Sequence, residues 1–319
     1  MHYLDATGTK PGIPGDALRD SHGALSMSAM SAHRSRVFTL GHSPDPDDAF
    51  MFYAMAENKI DLRGYRFEHR LEDIQTLNER ALRGELDISA ISIHAYAYVS
   101  DRYALLPCGA SMGDGYGPLL VTRNAEAPSD LSDNEVREWL RGVTIAVPGL
   151  MTSAYLALQL FLDQFDHVVV PFDQIFGAVD SGRAGVGLII HEGQLTYASA
   201  GFRKVLDLGG WWKRETNLPL PLGGNVLRKD IPAPIRHDLL AIVRQSIAFG
   251  LTHREEAVQH SMPYARDMDA KLTSKFIGMY VNDFTCDYGE TGRKAIREFL
   301  GRAERGGYLK KSVELEFVD

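Results

Sequence analysis

A histidine at the end of a predicted buried strand is the first candidate for chemistry. Residues 187–194 read Gly-Leu-Ile-Ile-His-Glu-Gly-Gln, so three apolar residues run directly into the imidazole of His191. An imidazole titrates near neutral pH, and in its neutral form it suits general-base catalysis. The alternative is that His191 is only the last, solvated residue of its strand. The residue types alone leave both interpretations open.

The start of a predicted helix is the second candidate. Residues 148–154 read Pro-Gly-Leu-Met-Thr-Ser-Ala, and Thr152 and Ser153 stand where the helix begins. Free backbone N–H groups and the positive end of the helix dipole favour a carboxylate or a phosphate at such a place. Capping of the helix by Thr152 or Ser153 would explain the same residue types without any ligand. Both interpretations stay open here.

A second predicted strand brings further polar groups to its end. Residues 86–92 end in Ser89-Ala90-Ile91-Ser92. In open α/β sheets, ligands bind at the carboxyl ends of the strands. Since His191 also ends a strand, we expect Ser92, Ser153 and His191 to face one cleft.

Two motif resemblances are too weak to predict a nucleotide or a metal. Residues 109–117 are rich in glycine, but they lack the Gly-Lys-Ser/Thr ending of a phosphate-binding loop and they precede a strand instead of a helix. We therefore expect a flexible or tightly turned loop there. His191 and Glu192 resemble the start of a zinc-protease motif, but Leu195 stands where the second histidine ligand would be. We expect neither a metal nor a cofactor.

The elements that position these residues alternate between strands and helices from residue 37 onward, which is typical of an α/β fold. Four successive helices are predicted after residue 232, with no strand between them, so they must pack on a sheet made earlier. The chain is therefore expected to start in one lobe, visit a second and return. We place the first lobe at residues 37–121 plus 222–319 and the second at 122–221, with a hinge in the Pro- and Gly-rich residues 218–224.

Composition and charge exclude several classes of protein. The 319-residue chain has a net charge of −8 and no basic run, which argues against a nucleic-acid surface. Cys108 and Cys286 lie far apart and suit a reducing cytosol. No apolar run approaches the length of a membrane span. Residues 1–36 lack the apolar core of a secretory signal, so we expect a disordered tail or extension and a cytoplasmic protein.

Six motifs occur in the order in which they occur in a known family. The chain resembles the 1,4-dihydroxy-6-naphthoate synthases of the futalosine route to menaquinone, and the resemblance covers nearly everything after about residue 36. The motifs are Ser-Pro-x-Pro-x-Asp-x-Phe (43–50), Val-Pro-Gly-x-x-Thr-x-Ala-Tyr (147–155), Gly-Leu-Ile-Ile-His-Glu (187–192), Asp-Leu-Gly-x-Trp-Trp (207–212), Leu-Pro-Leu-Pro-Leu-Gly (218–223) and Tyr-Val-Asn (280–282).

This resemblance implies a fold, a reaction and a set of site residues. The fold would be the two-lobed type 2 periplasmic-binding-protein-like fold, each lobe a mixed sheet flanked by helices, with the ligand cleft between the lobes. The reaction would be a lyase step without cofactor that converts cyclic dehypoxanthine futalosine to 1,4-dihydroxy-6-naphthoate. The family's histidine acts as proton acceptor, and its position is His191 here. Substrate would be held by Ser153 and Ala154 and by the strand end Ala90, Ile91 and Ser92.

Three positions depart from the family pattern. Asp45 and Asp47 stand where members often have cysteine and asparagine, and Ala90 stands where they often have lysine. Carboxylates near a helix start are favoured by the dipole, but inside a cleft they would repel a substrate that carries its own carboxylate. We therefore expect Asp45 and Asp47 to cap the helix or to support the site from behind. Without the lysine, the N–H groups of Ser153 and Ala154 would have to bind the substrate carboxylate.

Two other functions are compatible with the same scaffold. A non-catalytic binding protein for small carboxylates would need an export signal or lipid anchor, and none is evident in the sequence. The ligand-sensing part of a transcription regulator would need an N-terminal helix-turn-helix, for which residues 1–36 are too short and too polar. A small molecule is therefore the expected partner, and neither a nucleic acid nor a membrane is expected.

Overall fold

The computed structural model describes residues 36–124, 132–266 and 268–318. The predicted tail at residues 1–36 lies outside the described residues, apart from Arg36. The strands are β1 (Val37–His42), β2 (Arg66–Leu71), β3 (Ile88–Ser92), β4 (Tyr103–Leu105), β5 (Ser111–Gly113), β6 (Leu119–Thr122), β7 (Ile145–Val147), β8 (His167–Val169), β9 (Val186–Ile189), β10 (Arg203–Asp207) and β11 (Leu220–Arg228).

The helices follow the strands in the alternation expected for an α/β fold. They are α1 (Pro46–Ala56), α2 (Ile74–Arg83), α3 (Ile93–Val99), α4 (Asp133–Leu140), α5 (Ser153–Leu162), α6 (Ile175–Asp180), α7 (Gly193–Thr196), α8 (Leu208–Thr216), α9 (Ala233–Thr252), α10 (Arg254–Ser261), α11 (Ala270–Tyr280), α12 (Asp283–Cys286) and α13 (Gly289–Arg305). Among the described residues, no helix combines the length and the apolar character needed to cross a membrane.

Local signals set several helix ends. The side chain of Asp73 accepts hydrogen bonds from the first turn of α2, and Gly84 ends that helix with a φ of +69°, a conformation that glycine adopts without strain. The predicted capping box of α4 is confirmed, since the side chains of Ser132 and Glu135 each accept a hydrogen bond from the other's backbone. These contacts fix where each helix leaves the sheet.

The strands form two mixed sheets. The first has the order β2-β1-β3-β11-β4, with β5 also paired to β11, and β11 runs antiparallel to its neighbours. The second has the order β10-β6-β9-β7-β8, in which β7 is parallel to β8 and β9, while β6 and β10 are antiparallel to the strands beside them. Both sheets are mixed and flanked by helices, as predicted.

The core joins the C-terminal helices to both sheets. Trp212 is fully buried and its ring meets Phe299 of α13 edge to face at 5.5 Å. Its indole N–H donates to the Pro219 carbonyl at 3.0 Å, which satisfies a polar group that would be costly to bury unpaired. On the first sheet, α1 and α9 pack over Phe38 and Leu40. Burial of this apolar surface is the main term that stabilises the fold.

One local prediction was wrong in part, because pairing with β11 overrides turn-forming residues. Part of the glycine-rich segment at residues 109–117 is not a free loop, since Ser111–Gly113 is strand β5. Residues 220–224 of the predicted hinge lie in β11, and the hinge itself stays a prediction. Strand β6 belongs to the second sheet, although the predicted lobe boundary at residues 121 and 122 passes through it. The division into lobes stays a prediction, and Val37–Asp319 form one compact unit.

Candidate active site

A cavity of about 800 Å³, part of it open to solvent, is lined by residues from both sheets. The first sheet contributes the end of β3, part of β11 and the segment that begins α1. The second sheet contributes the start of α5 and the segment after β9. The six binding residues expected from the sequence all line it: Ala90, Ile91, Ser92, Thr152, Ser153 and Ala154. The structure therefore brings these residues together, and their role in binding stays a prediction.

The end of β3 offers backbone N–H and C=O groups to the cavity, because the hydroxyl group of Ser92 is already hydrogen-bonded. Ser92 is buried, and its Oγ accepts a hydrogen bond from Asn78 Nδ2 at 2.9 Å while its N–H donates to Asn78 Oδ1 at 2.9 Å. Across the sheet, β11 places Gly223 opposite Ser92 and Gly224 opposite Ile91. Two glycines leave the peptide groups of this wall uncovered by side chains.

The start of α5 combines helix capping with a free dipole end. Thr152 Oγ1 accepts from the N–H of Tyr155 at 3.1 Å and donates to the Gly149 carbonyl at 2.9 Å, so Thr152 is an ordinary cap. Ser153 Oγ donates to the Leu222 carbonyl at 2.5 Å. By helix geometry, the N–H groups of Ser153 and Ala154 have no partner within the helix. These two N–H groups, and not the hydroxyls, are what α5 offers to an anion.

The end of the cavity next to the start of α1 is acidic. Asp45, Asp47 and Asp48 all line it, and the N–H of Ser43 donates to Asp48 Oδ2 at 2.7 Å. Burial raises the pKa of Asp48 to about 7, while the hydrogen bond from Ser43 opposes this and Asp45 adds to it. Burial likewise raises the pKa of Asp47 well above its usual range, and the carboxyl groups of Asp48 and Asp45 raise it further. A protonated carboxyl group donates a hydrogen bond instead of repelling an anion.

Asp45 does not act as the helix cap that its position suggests. It occupies the N-cap position of α1, but its side chain accepts no capping hydrogen bond there. Its carboxylate instead accepts from Ser43 Oγ at 2.8 Å and from Arg266 Nη1 at 3.2 Å. Asp47 lines the cavity directly, so the expectation that it stands behind the site was wrong.

His191 lies beside the cavity but does not line it. Its neighbours Ile190 and Gln194 are lining residues, whereas the His191 side chain is buried at 7% exposure. The ring packs edge-on against Phe172 at 5.7 Å and Phe176 at 6.1 Å. The structure thus packs the imidazole against two aromatic rings, while Ile190 and Gln194 nearby in the chain line the cavity.

The surroundings of His191 keep it neutral. Burial lowers its pKa, and this outweighs the raising effect of the nearby Glu192 and Asp45 carboxylates. The N–H of Gly193 donates to Nδ1 at 3.0 Å, and Glu192 Oε2 lies 3.7 Å from the same nitrogen. Because Nδ1 accepts a hydrogen bond, the neutral ring carries its proton on Nε2.

Three further residues are candidates for a role at this site, although the sequence did not single them out. Tyr280 and Gln194 both line the cavity, and the Tyr280 hydroxyl donates to Gln194 Oε1 at 2.5 Å, which ties α11 to α7. Tyr280 falls in one of the six ordered motifs, and that was the available signal. Arg266, between α10 and α11, contacts Asp45 and Glu192, and no motif marked it.

The electrostatic character of the cavity comes from its aspartate side chains and from the backbone N–H groups at the start of α5. Its lining residues, all within the described ranges, include no lysine, arginine or histidine. The described residues include no group of three or more histidine, cysteine or acidic side chains arranged to hold a metal ion. The N–H groups at the start of α5 are the candidates for binding an anion at this site, and that role stays a prediction.

Comparison with known proteins places this geometry in context. Residues 38–305 match the protein family described as menaquinone biosynthesis. The chain is 38% identical to the 1,4-dihydroxy-6-naphthoate synthase of Thermus thermophilus, over 88% of this chain and 98% of the relative. It is also 38% identical to the enzyme of the same name from Streptomyces coelicolor, over 85% of this chain and 94% of the relative.

Solved structures share the fold. A crystal structure of a protein from Archaeoglobus fulgidus is 42% identical and superposes with a TM-score of 0.79, over 85% of this chain and 98% of that one. The alkanesulfonate-binding protein of Xanthomonas axonopodis pv. citri superposes with a TM-score of 0.65 at 11% identity, over 87% of this chain and 95% of that one. At that identity the likeness shows the fold alone, and it confirms the predicted periplasmic-binding-protein-like architecture.

Proposed function

The chain belongs to the menaquinone biosynthesis family, and from that premise we propose that it is an enzyme of menaquinone biosynthesis that forms 1,4-dihydroxy-6-naphthoate. The observation that supports this most is the cavity in which all six expected binding residues meet, with His191 at its edge. The family match over residues 38–305 covers this whole region. A cytoplasmic location is part of the same proposal.

The proposed reaction is the lyase step that the family resemblance implies. Cyclic dehypoxanthine futalosine enters the cavity, a proton is removed from it, and the spiro ring system opens to give the aromatic naphthol. Formation of the aromatic ring favours the products. The lining residues supply no cation, so the protein contributes binding, orientation and proton transfer.

The charge distribution orients the substrate in the cavity. A substrate carboxylate belongs at the start of α5, where the N–H groups of Ser153 and Ala154 and the helix dipole favour an anion. The acidic end would repel it wherever Asp45 is ionised. At that end the raised pKa values of Asp47 and Asp48 favour neutral carboxyl groups. These are suited to hydrogen bonds with uncharged polar groups of the substrate.

His191 is the proposed proton acceptor. Its lowered pKa leaves it neutral at neutral pH, which is the form that accepts a proton. A base must come within about 3 Å of the proton that it removes. Because Ile190 and Gln194 line the cavity and His191 does not, we infer that substrate binding brings His191 to the cavity, as catalytic contacts often tighten only in the complex.

The test compares three purified proteins for formation of the naphthoate from cyclic dehypoxanthine futalosine, measured by mass spectrometry. His191→Ala is expected to lower the rate by about 10²-fold or more, the usual contribution of a general base. His167→Ala is the matched control, because His167 is an exposed histidine on β8 of the same sheet. It is expected to behave as the parent protein.

The outcomes distinguish a lyase with His191 as its base from a lyase with another base and from a non-catalytic binding protein. Equal product from the parent and His191→Ala overturns the assignment of the base but leaves the lyase in place. Tight binding of the compound by the parent without turnover favours the alternative, a non-catalytic binding protein on the same scaffold. Thermal unfolding of the three proteins in parallel separates loss of chemistry from loss of fold.

A further inference from the structure

One guanidinium group joins three parts of the chain beside His191. Arg266 Nη1 lies 2.5 Å from Glu192 Oε1 and 3.2 Å from Asp45 Oδ1. Its Cζ atom lies 4.8 Å from the centre of the Phe172 ring, the same ring that packs on His191. Asp45 precedes α1 on the first sheet and Glu192 follows β9 of the second sheet. Arg266 therefore connects both sheets at the edge of the cavity.

Glu192 depends on this cation. It is buried at 4% exposure, and its Oε2 accepts no hydrogen bond from the described residues. A buried carboxylate without a partner is strongly unfavourable, whereas a paired one is tolerated. Arg266 supplies the pairing at Oε1, which leaves Oε2 free at 3.7 Å from His191 Nδ1.

The free oxygen acts on the imidazole through its charge. With the Gly193 N–H bonded to Nδ1, the neutral ring holds its proton on Nε2. Glu192 Oε2 lies 3.7 Å from Nδ1, which is too far for a hydrogen bond but close enough for a strong electrostatic interaction. A carboxylate held at this distance favours the positively charged ring that forms when His191 accepts a proton.

We propose that Glu192 and Arg266 are positioning residues for His191, with Arg266 holding Glu192 and Asp45 together so that the free carboxylate oxygen stays beside the imidazole and favours its protonated form. This proposal rests on the proposed function only in naming His191 as the base. The coupling of the three side chains is a property of the structure that is measured separately.

The proposal makes opposite predictions for two substitutions. The charged side chains that act on His191 are Glu192, Asp45 and Arg266: the two carboxylates raise the pKa of the imidazole and the guanidinium lowers it, while burial sets the overall downward direction. Arg266→Gln removes the positive charge, so the pKa of His191 rises. Glu192→Gln removes the nearest negative charge, so the pKa falls. Each change is expected to be about half a pH unit or more.

The experiment measures the pKa of His191 twice in the full-length protein. The first readout is an NMR titration of the imidazole resonances, assigned with His191→Ala, which needs no activity. The second is the acidic limb of the pH profile of kcat/KM for naphthoate formation. Arg63→Gln is the matched control, because Arg63 is also ion-paired, to Asp238, and also has a positive φ, +53° against +45° for Arg266. It is expected to leave both readouts unchanged.

The outcomes separate this proposal from the proposed function. Opposite shifts of the NMR pKa in Arg266→Gln and Glu192→Gln, with a parallel movement of the activity limb, support it. Shifts in the same direction, or none, overturn it even if the lyase activity stands. If the parent protein lacks the activity, the NMR titration alone still decides the coupling. Asp45→Asn, which keeps the side-chain shape, provides a variant that retains the Arg266–Glu192 pair, and it is expected to lower the pKa by a smaller amount.

Discussion

Replacing His94 with glutamine removes a buried titratable group that contacts the start of α5. His94 lies in α3 and is buried at 4% exposure. Its Nδ1 donates to the Thr152 carbonyl at 3.3 Å, and its backbone N–H donates to Ser153 Oγ at 3.2 Å. Burial lowers the pKa of His94 to about 4, against the raising effect of the Thr152 carbonyl. Protonation of this histidine is therefore opposed by its burial and not by its contact with Thr152, so acid lowers the stability of the folded protein.

The change in the free energy of unfolding follows from the pKa of His94 in the unfolded chain and its pKa in the folded protein. Between pH 6.5 and pH 4 the unfolded chain binds more protons at this position than the folded protein, so the stability from His94 is complete above pH 6.5 and is lost as the pH falls. At about 1.36 kcal/mol for each pKa unit, a decrease from 6.5 to about 4 costs about 3.4 kcal/mol below pH 4. At pH 5 the loss is about 2 kcal/mol.

Urea unfolding at pH 7.5 and pH 5.0 measures this difference. The free energy of unfolding of His94→Gln is expected to fall between the two pH values by about 2 kcal/mol less than that of the parent. Other titrating groups, such as His42 with its pKa of about 3, are present in both proteins and cancel in the comparison. His167→Gln, at an exposed position, is expected to match the parent. An identical pH dependence in His94→Gln and the parent would refute the reasoning.

Three further predictions concern the elements around the site. The free energy of unfolding of the parent is expected to fall by a few kcal/mol as the pH rises from 4 to 8, because the pKa of Asp48 is raised to about 7 and its ionisation is costly when buried. Asp48→Asn is expected to remove most of this fall. Urea unfolding at each pH measures it, and the same pH dependence in both proteins would speak against the prediction. Asp207→Ala removes the cap that accepts two N–H groups at the start of α8 and is expected to cost about 1 kcal/mol, measured by urea unfolding at neutral pH. Gly187→Ala places a methyl carbon 2.5 Å from Ile175 Cγ2 beneath β9, which is expected to cost about 1–3 kcal/mol; adding Ile175→Ala should recover part of that loss, and no recovery would mean that the contact is not the cause.

The alternation of elements and several of their ends were predictable from the sequence. The capping box at Ser132 and Glu135 appears where the residue types predicted it, since its hydrogen bonds form within four consecutive residues. The six ordered motifs predicted the family, and the match over residues 38–305 confirms it. The strand end that carries Ser92 and the helix start that carries Ser153 were located closely enough to place both residues at one cavity.

Pairing between distant strands was not predictable in the same way. The glycine-rich residues 109–117 and the proline-containing residues 218–224 both have turn-forming composition, yet each contributes to a strand of the first sheet. The hydrogen bonds that hold them come from each other, across about a hundred residues of chain. Local propensity is a weak predictor wherever a neighbouring strand supplies the missing contacts.

The sequence by itself determined the family, the two-sheet α/β architecture and the residues that reach the cavity through local structure. Only the tertiary structure decided which way His191 points and what surrounds it. Strand β9 ends at Ile189, so the alternation of a strand does not set the side chain of His191. Ile190 lines the cavity, whereas the ring of His191 packs against Phe172 and Phe176. Arg266 meets Glu192 from 74 residues away and Asp45 from 221. No local pattern marks such a contact, because it exists only once both sheets and the C-terminal helices have packed.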